Sequence, residues 1–157
     1  MTLTWIKASN GEIPKTAFKT GASESDGKPL FVARVHELGI HPGKLCRGRQ
    51  GAYIPIDGKE HLKTNYEVLA SFAGLYWKSI NVGALPDDAV STGHNVHKTL
   101  LYSVKGMIDG NEVIGKYNHK AKKALFPYGG IEHHLGLGEE VEILCSKVCL
   151  SAIMQLE

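Results

Sequence analysis

The chain repeats itself. Trp5, Gly11, Pro14, Ala17, Thr20 and Gly21 return 72 residues later as Trp77, Gly83, Pro86, Ala89, Thr92 and Gly93. At the same offset Gly43-Lys44 returns as Gly115-Lys116, and Ala52, Pro55, Gly58, Glu60 and His61 as Ala124, Pro127, Gly130, Glu132 and His133. Coincidences at one fixed offset, concentrated on Trp, Gly, Pro, Lys and His, mark a tandem duplication. Each copy alone is too short to bury a sizeable core, so the copies must share one. The expected organisation is a single domain over 1–157, with repeats at 5–69 and 77–144 and a tail at 145–157.

The repeat reads as β structure. Leu30 to Val35 and Leu100 to Val104 are short apolar runs rich in strand formers. Ala52 to Ile56 and Ala124 to Tyr128 follow, with Pro55 and Pro127 expected at an edge or strand end because proline donates no amide hydrogen. Tyr66 to Leu69 closes the first repeat, and Val141 to Leu144 answers it three residues late. Asn10-Gly11 and Asp57-Gly58 are turn pairs, and Pro42-Gly43 reads as a breaker between His36 and Lys44. Only a weak helical period appears, around Tyr66 to Leu75. The predicted fold is all-β: two tandem antiparallel β repeats packed about an internal pseudo-two-fold axis. The apolar tail from Cys145 to Leu156 is expected to add a last strand or dock on a neighbour.

Charge and cysteine content exclude several classes. Eighteen basic and sixteen acidic residues are interspersed, which gives no footprint for nucleic acid. No apolar run approaches the length of a spanning helix, so membrane insertion is not expected. The first repeat starts at Trp5, leaving no room for a signal peptide in front of it. Three cysteines, an odd count, then point to a reducing compartment. The expected location is cytoplasmic, or secreted without a classical signal peptide. Cys145 and Cys149 lack zinc-site partners, and His94-Asn-Val-His97 and His133-His134 lack a third ligand, so no metal and no cofactor is expected.

Glu60-His61 and Glu132-His133 could supply acid–base groups for a glycan-acting enzyme. Adjacent strand residues point to opposite faces, however, and retention in both copies favours a capping role at an inter-strand corner. Nucleophile elbows and phosphate-cradling glycine motifs are absent, so no catalytic residue is assigned. Lys44 and Lys116 are the only lysine or arginine positions retained at the repeat offset. In the first repeat an acidic loop carrying Glu24 and Asp26 precedes the first long strand, and in a hairpin-like arrangement it could face Lys44. A carboxylate and an ammonium across a shallow hollow suit neighbouring sugar hydroxyls, with Tyr53 or Trp77 against the sugar's C–H face. The same residues are equally compatible with an ordinary surface salt bridge.

Trp5…Gly11-x-x-Pro14-x-x-Ala17, Leu30-Phe31-Val32-Ala33-Arg34, Pro42-Gly43-Lys44, Gly58-Lys59-Glu60-His61 and Tyr66-Glu67-Val68-Leu69 together resemble the DM-nine repeat, found in tandem in small invertebrate proteins and natterin-like lectin domains. The resemblance runs from Trp5 to Leu144. It implies a metal-independent lectin, without enzymatic activity, that recognises mannose or mannose-containing glycans in innate immunity, often as a homodimer. By the same resemblance the acidic role falls on Glu24, with Asp26 the fallback, and the basic role on Lys44. Lys116 is the corresponding residue of the second repeat. That repeat departs from the pattern: Ile114 precedes Gly115-Lys116, Gly93 to Thr99 holds no carboxylate, and Ile131 stands where the first repeat has Lys59. A non-catalytic protein-interaction module is the remaining alternative.

Overall fold

The computed structural model describes residues 3–147. Thirteen strands form one antiparallel sheet: β1 (Trp5–Ser9), β2 (Leu30–His36), β3 (Gly39–Cys46), β4 (Ala52–Ile56), β5 (Lys59–Lys63), β6 (Asn65–Leu69), β7 (Leu75–Asn81), β8 (Ser91–Asn95), β9 (Leu100–Ile108), β10 (Asn111–Asn118), β11 (Lys123–Tyr128), β12 (Ile131–Leu135) and β13 (Glu140–Ser146). The order β1-β6-β2-β3-β4-β5-β12-β11-β10-β9-β13-β7 is a palindrome of the two repeats. β8 pairs with both β3 and β9 and closes the path into a barrel, leaving the β1-β6 and β7-β13 ends as extra strands. The pseudo-two-fold axis runs through the β5–β12 seam. There Ile131 opposes Lys59, the Glu60 amide donates to Gly130 O at 3.2 Å, and the Glu132 amide donates to Gly58 O at 3.0 Å.

Turn chemistry sets this register. Asp57-Gly58 and Gly129-Gly130 both have positive φ at both positions, the backbone of a tight hairpin turn whose twist matches the flanking strands. The core has three parts. One cluster belongs to each repeat, including Phe31, Leu45, Ile54 and Val68 in the first and Val104, Tyr117, Phe126 and Ile143 in the second. The third draws Leu30, Val32 and Leu69 from one repeat and Ile114 and Leu144 from the other, with both tryptophans packed against it. This shared cluster answers the need of each half for a partner.

Each tryptophan anchors a matching trio. Arg34 lies 4.0 Å above the Trp5 ring and donates to Glu67 at 2.8 Å, its direct cross-strand partner. Lys105 lies 5.0 Å from the Trp77 ring centroid and 3.4 Å from Glu142, again its cross-strand partner. Cation, ring and carboxylate are thus kept in both repeats. The repeat offset slips along the strands, so these pairs do not coincide at 72 residues.

The structure departs from the expectations at two places. Pro42-Gly43 does not break the chain: β3 runs through both, and the reversal is made by Glu37-Leu38, with positive φ at Leu38 and Gly39. The strand expected over Tyr66 to Leu69 is β6, so the weak helical period there forms no helix. Cys145 and Ser146 are not tail but the end of β13, paired with Tyr76 and Leu75. The remaining tail, Cys149 included, lies outside the described residues. Pro55 and Pro127 oppose Glu60 and Glu132 on one side, while the pairing of β4 with β3 and of β11 with β10 stops before them, near the strand ends.

Gly43 and Gly115 show why Gly-Lys recurs. A Cβ on Gly43 would strike the Tyr53 carbonyl oxygen and lie 2.8 Å from Ile54 Cδ1. One on Gly115 would strike the Leu125 carbonyl oxygen and lie 2.8 Å from Phe126 Cδ1. Gly43→Ala and Gly115→Ala are each expected to destabilise the protein by about 1–3 kcal/mol through overpacking. Urea unfolding checks this, and wild-type stability in either variant would contradict the close strand approach.

Candidate functional site

A hollow of about 390 Å³ opens at the seam between the repeats. The first repeat contributes Glu24, Lys44, Arg49, Tyr53 and Glu60, and the second contributes Asn111, Glu112, Tyr128 and Gly129. Strand register explains the grouping. Lys44 opposes Tyr53 across β3–β4, and Glu60 opposes Pro55 across β4–β5. Tyr53 and Pro55 are two residues apart and share a face, which brings Lys44, Tyr53 and Glu60 to the same side of the sheet.

Lys44 Nζ stands 3.3 Å from Glu60 Oε2, with the side chains 9% and 12% exposed. This is a largely buried ion pair, and removing one partner of such a pair typically costs about 3–5 kcal/mol. The ammonium also faces two rings, with centroids at 5.7 Å for Tyr53 and 5.4 Å for Tyr128. Glu60 Oε1 accepts the Gly130 amide at 3.0 Å. Glu60 therefore caps a turn of the other repeat and neutralises Lys44 at once. His61 lies on the opposite face and bonds Ile56 O at 3.0 Å, as His133 bonds Tyr128 O at 2.9 Å.

Glu24 lines the same hollow, and Arg49 Nη2 donates to it at 2.8 Å. Burial pushes the Glu24 carboxyl upward. Hydrogen bonds from Arg49 and the Cys46 thiol, with the charges of Arg49 and Lys44, outweigh that and hold it below the usual glutamate value. The Cys46 thiol is pushed up to about 12, by burial first and by the neighbouring Glu24 second. A cysteine so raised is inert toward oxidants and metals at neutral pH.

Asp26 lies elsewhere. Its Oδ1 accepts the Lys28 amide at 3.0 Å and its carboxylate meets Lys28 Nζ at 3.9 Å, both half exposed, so it closes its own loop rather than lining the hollow. Trp77 is also away from the hollow, packed on the shared core with Nε1 donating to Thr20 O. Arg49, Asn111, Glu112 and Tyr128 were not foreseen as site residues, and Glu60 was considered only as an acid–base or capping group. Glu60 carried a sequence signal, since it recurs at the same offset as Lys44. Tyr128 carried none, because only the seam brings it opposite Lys44.

Lys116 occupies the equivalent place in the second repeat, in a separate cavity of about 260 Å³. Leu125 and Ile56 stand where the first site has Tyr53 and Tyr128, and His41, Asp57, Asn95, Asn118 and Glu132 complete the lining. The sites differ most in their carboxylates. Glu132, the counterpart of Glu60, meets His134 Nε2 at 2.7 Å, whereas the residue matching His134 in the first repeat is Leu62. Among the described residues no carboxylate lies within ion-pairing distance of Lys116. Its Nζ donates instead to His41 Nδ1 at 3.0 Å. Burial lowers the Lys116 ammonium to about 8, with Glu132 and Asp57 pulling the other way. His41 is lowered as well, by burial and then by the Lys116 charge. No group of three or more His, Cys, Asp or Glu side chains among the described residues is arranged to hold a metal ion.

A closed antiparallel barrel of two duplicated units, with a polar hollow at the seam, defines a tandem-repeat β module. The DM9 repeat profile matches residues 1–61 and 24–135, and the chain belongs to the DM9 repeat family. No curated protein matches the sequence. Among solved structures, the nematode sperm cell motility protein MFP2B is similar, with a TM-score of 0.70 and 17% identity over 95% of this chain. This chain spans about half of that one, 47%, and at such identity the likeness concerns the fold.

The Lys116 environment yields a pH signature. A base whose folded value lies below its unfolded one burdens the folded state at low pH, and the burden lifts as pH rises from about 8 toward 10.5. Lys116→Met is therefore expected to be more stable than wild type at pH 7, by an amount on the order of 3 kcal/mol before packing changes. That difference is expected to shrink between pH 8 and 10.5, as followed by denaturant unfolding across the range. A gap that stays constant with pH would contradict the assignment.

Proposed function

We propose that this chain is a metal-independent lectin without enzymatic activity, holding a mannose-type hexose in the seam hollow. The single observation that carries the reading is the Lys44–Glu60 pair set between two tyrosine rings. Two neighbouring sugar hydroxyls can engage such a site together, one donating to a carboxylate and one accepting from the ammonium, through charge-assisted hydrogen bonds. Glu24 and Arg49 add a second acid–base pair at the rim, and Tyr53 and Tyr128 offer apolar faces to the C–H side of the ring. The volume lies at the small end of ligand pockets, as suits one saccharide unit rather than a long chain.

Binding is favoured over catalysis by the state of the two carboxylates. A glycosidase acid needs a raised pKa so that it carries a proton at neutral pH. Glu24 is instead held low by Arg49, and Glu60 is committed to Lys44 and the Gly130 amide. His61 is turned to the other face and engaged with Ile56 O. The reading extends to recognition of microbial mannose-rich glycans, with a homodimer raising a weak single-site affinity by avidity.

Calorimetric titration with mannose, and galactose as comparison, tests the proposal. Wild type is expected to bind mannose weakly and to leave mannose oligosaccharides uncleaved. Lys44→Met is expected to lose about tenfold or more in affinity, the range for a charge-assisted hydrogen bond. Glu24→Gln is expected to lose less, since Arg49 and Lys44 remain. Undiminished mannose binding by a folded Lys44→Met protein would remove this hollow as the site.

A further inference from the structure

The second-repeat cavity poses a separate chemical question. It keeps the buried lysine of the duplication but not its counter-charge. Glu132 lines the cavity but its Oε1 meets His134 Nε2 at 2.7 Å, and Lys116 Nζ faces the unprotonated nitrogen of the His41 imidazole. The tautomer follows from geometry. His41 Nε2 lies 3.3 Å from Leu38 O, which can only accept, so Nε2 carries the hydrogen and Nδ1 is the acceptor aimed at Lys116. Here a primary amine, a base in contact with it and an open volume of about 260 Å³ coincide.

We propose that this cavity is a carbonyl-trapping site, in which Lys116 condenses reversibly with a small hydroxyaldehyde while His41 relays the proton. The Nζ lone pair forms the new C–N bond as the carbonyl π pair moves to oxygen, and one Nζ proton passes through His41 Nδ1 to that oxygen. The second Nζ proton and the carbinolamine hydroxyl then leave together as water while the C=N bond forms. The balance is one aldehyde and one amine to one imine and one water, with no oxidant or reductant.

The ligand class follows from the lining. Asn95 and Asn118 have their Oδ1 atoms occupied by the His97, Thr99 and Ala121 amides, leaving their NH₂ groups as donors. Asp57 and Glu132 supply acceptors. Together these can engage hydroxyls, while Ile56, Leu101 and Leu125 face the carbon backbone, so the lining suits a short hydroxyaldehyde, and the volume favours a few carbons. With Lys116 lowered to about 8, roughly half of it is the uncharged nucleophile at pH 8, against well under about one per cent of an ordinary lysine. Lys44 is an internal control: similarly buried, but in contact with the Glu60 carboxylate at 3.3 Å.

The test is reductive trapping of the intact protein with glyceraldehyde and cyanoborohydride at pH 7.5, followed by peptide mapping of every lysine. Lys116 is expected to be alkylated at least about tenfold faster than the exposed lysines, and Lys44 more slowly than they are. His134→Leu, which gives the second repeat the residue found in the first, frees Glu132 to pair with Lys116 and is expected to slow its labelling about tenfold. His41→Leu removes the proton relay and is expected to slow it as well. Labelling of wild-type Lys116 no faster than a surface lysine would overturn the proposal, as would an unchanged rate in a folded His134→Leu protein. Because the readout is confined to Lys116, it is independent of whether mannose occupies the seam hollow.

Discussion

The seam between β5 and β12 is the constraint on which the rest depends. One Cα pair and two reciprocal backbone hydrogen bonds join the repeats there, and each bond runs from a glutamate amide to a glycine carbonyl in the opposite turn. Glu60 holds Gly130 twice, through its backbone amide and through Oε1, which leaves Oε2 for Lys44. The ion pair and the join between the halves are therefore one structural unit. Tyr128 and Gly129 reach the hollow only because the seam brings the second repeat's turn against the first repeat's lysine.

Duplication made the scaffold twice and the sites unequally. The trios Trp5–Arg34–Glu67 and Trp77–Lys105–Glu142 repeat the same cross-strand chemistry, because each locks an outer strand to the shared core. Around the two lysines the copies diverge. Two tyrosines in one site are Leu125 and Ile56 in the other, and Leu62 in one repeat is His134 in the other. His134 meets Glu132 at 2.7 Å, whereas in the first repeat, with Leu62 at the matching position, Glu60 pairs with Lys44 at 3.3 Å. The His134 side chain is half exposed, so the difference lies outside the core.

Much of the fold was legible in the sequence because its signals are local. Asn10-Gly11 and Asp57-Gly58 read directly as turns with positive φ, and the 72-residue period required two copies sharing a core. Pro42-Gly43 misled, since a dipeptide that usually ends a strand lies inside β3. Glycine there permits close approach to Tyr53 and Ile54, and only a neighbouring strand reveals that need. Within the site, Glu24 and Lys44 were readable as an acid and a base on one repeat. Asp26 was not separable from Glu24 until the loop's own bond to the Lys28 amide showed which carboxylate it consumed. Residues contributed across the seam had no signature, because a duplicated sequence does not say how its copies face each other.

The two lysines show how one electrostatic problem was answered in two ways. Burying an ammonium is unfavourable unless it is paired, or unless it sheds its proton. The first repeat pairs it: Glu60 supplies the opposite charge, and the Tyr53 and Tyr128 rings present their negative faces to what remains of the field. The second repeat instead lowers the buried ammonium to about 8 and sets it against His41 Nδ1, an acceptor that serves an amine as well as an ammonium. On the proposed readings, the first arrangement offers an ion pair to polar ligands, whereas the second offers an amine lone pair for bond formation. Two equivalent positions in one barrel thus differ in whether a glutamate or a histidine meets the buried lysine.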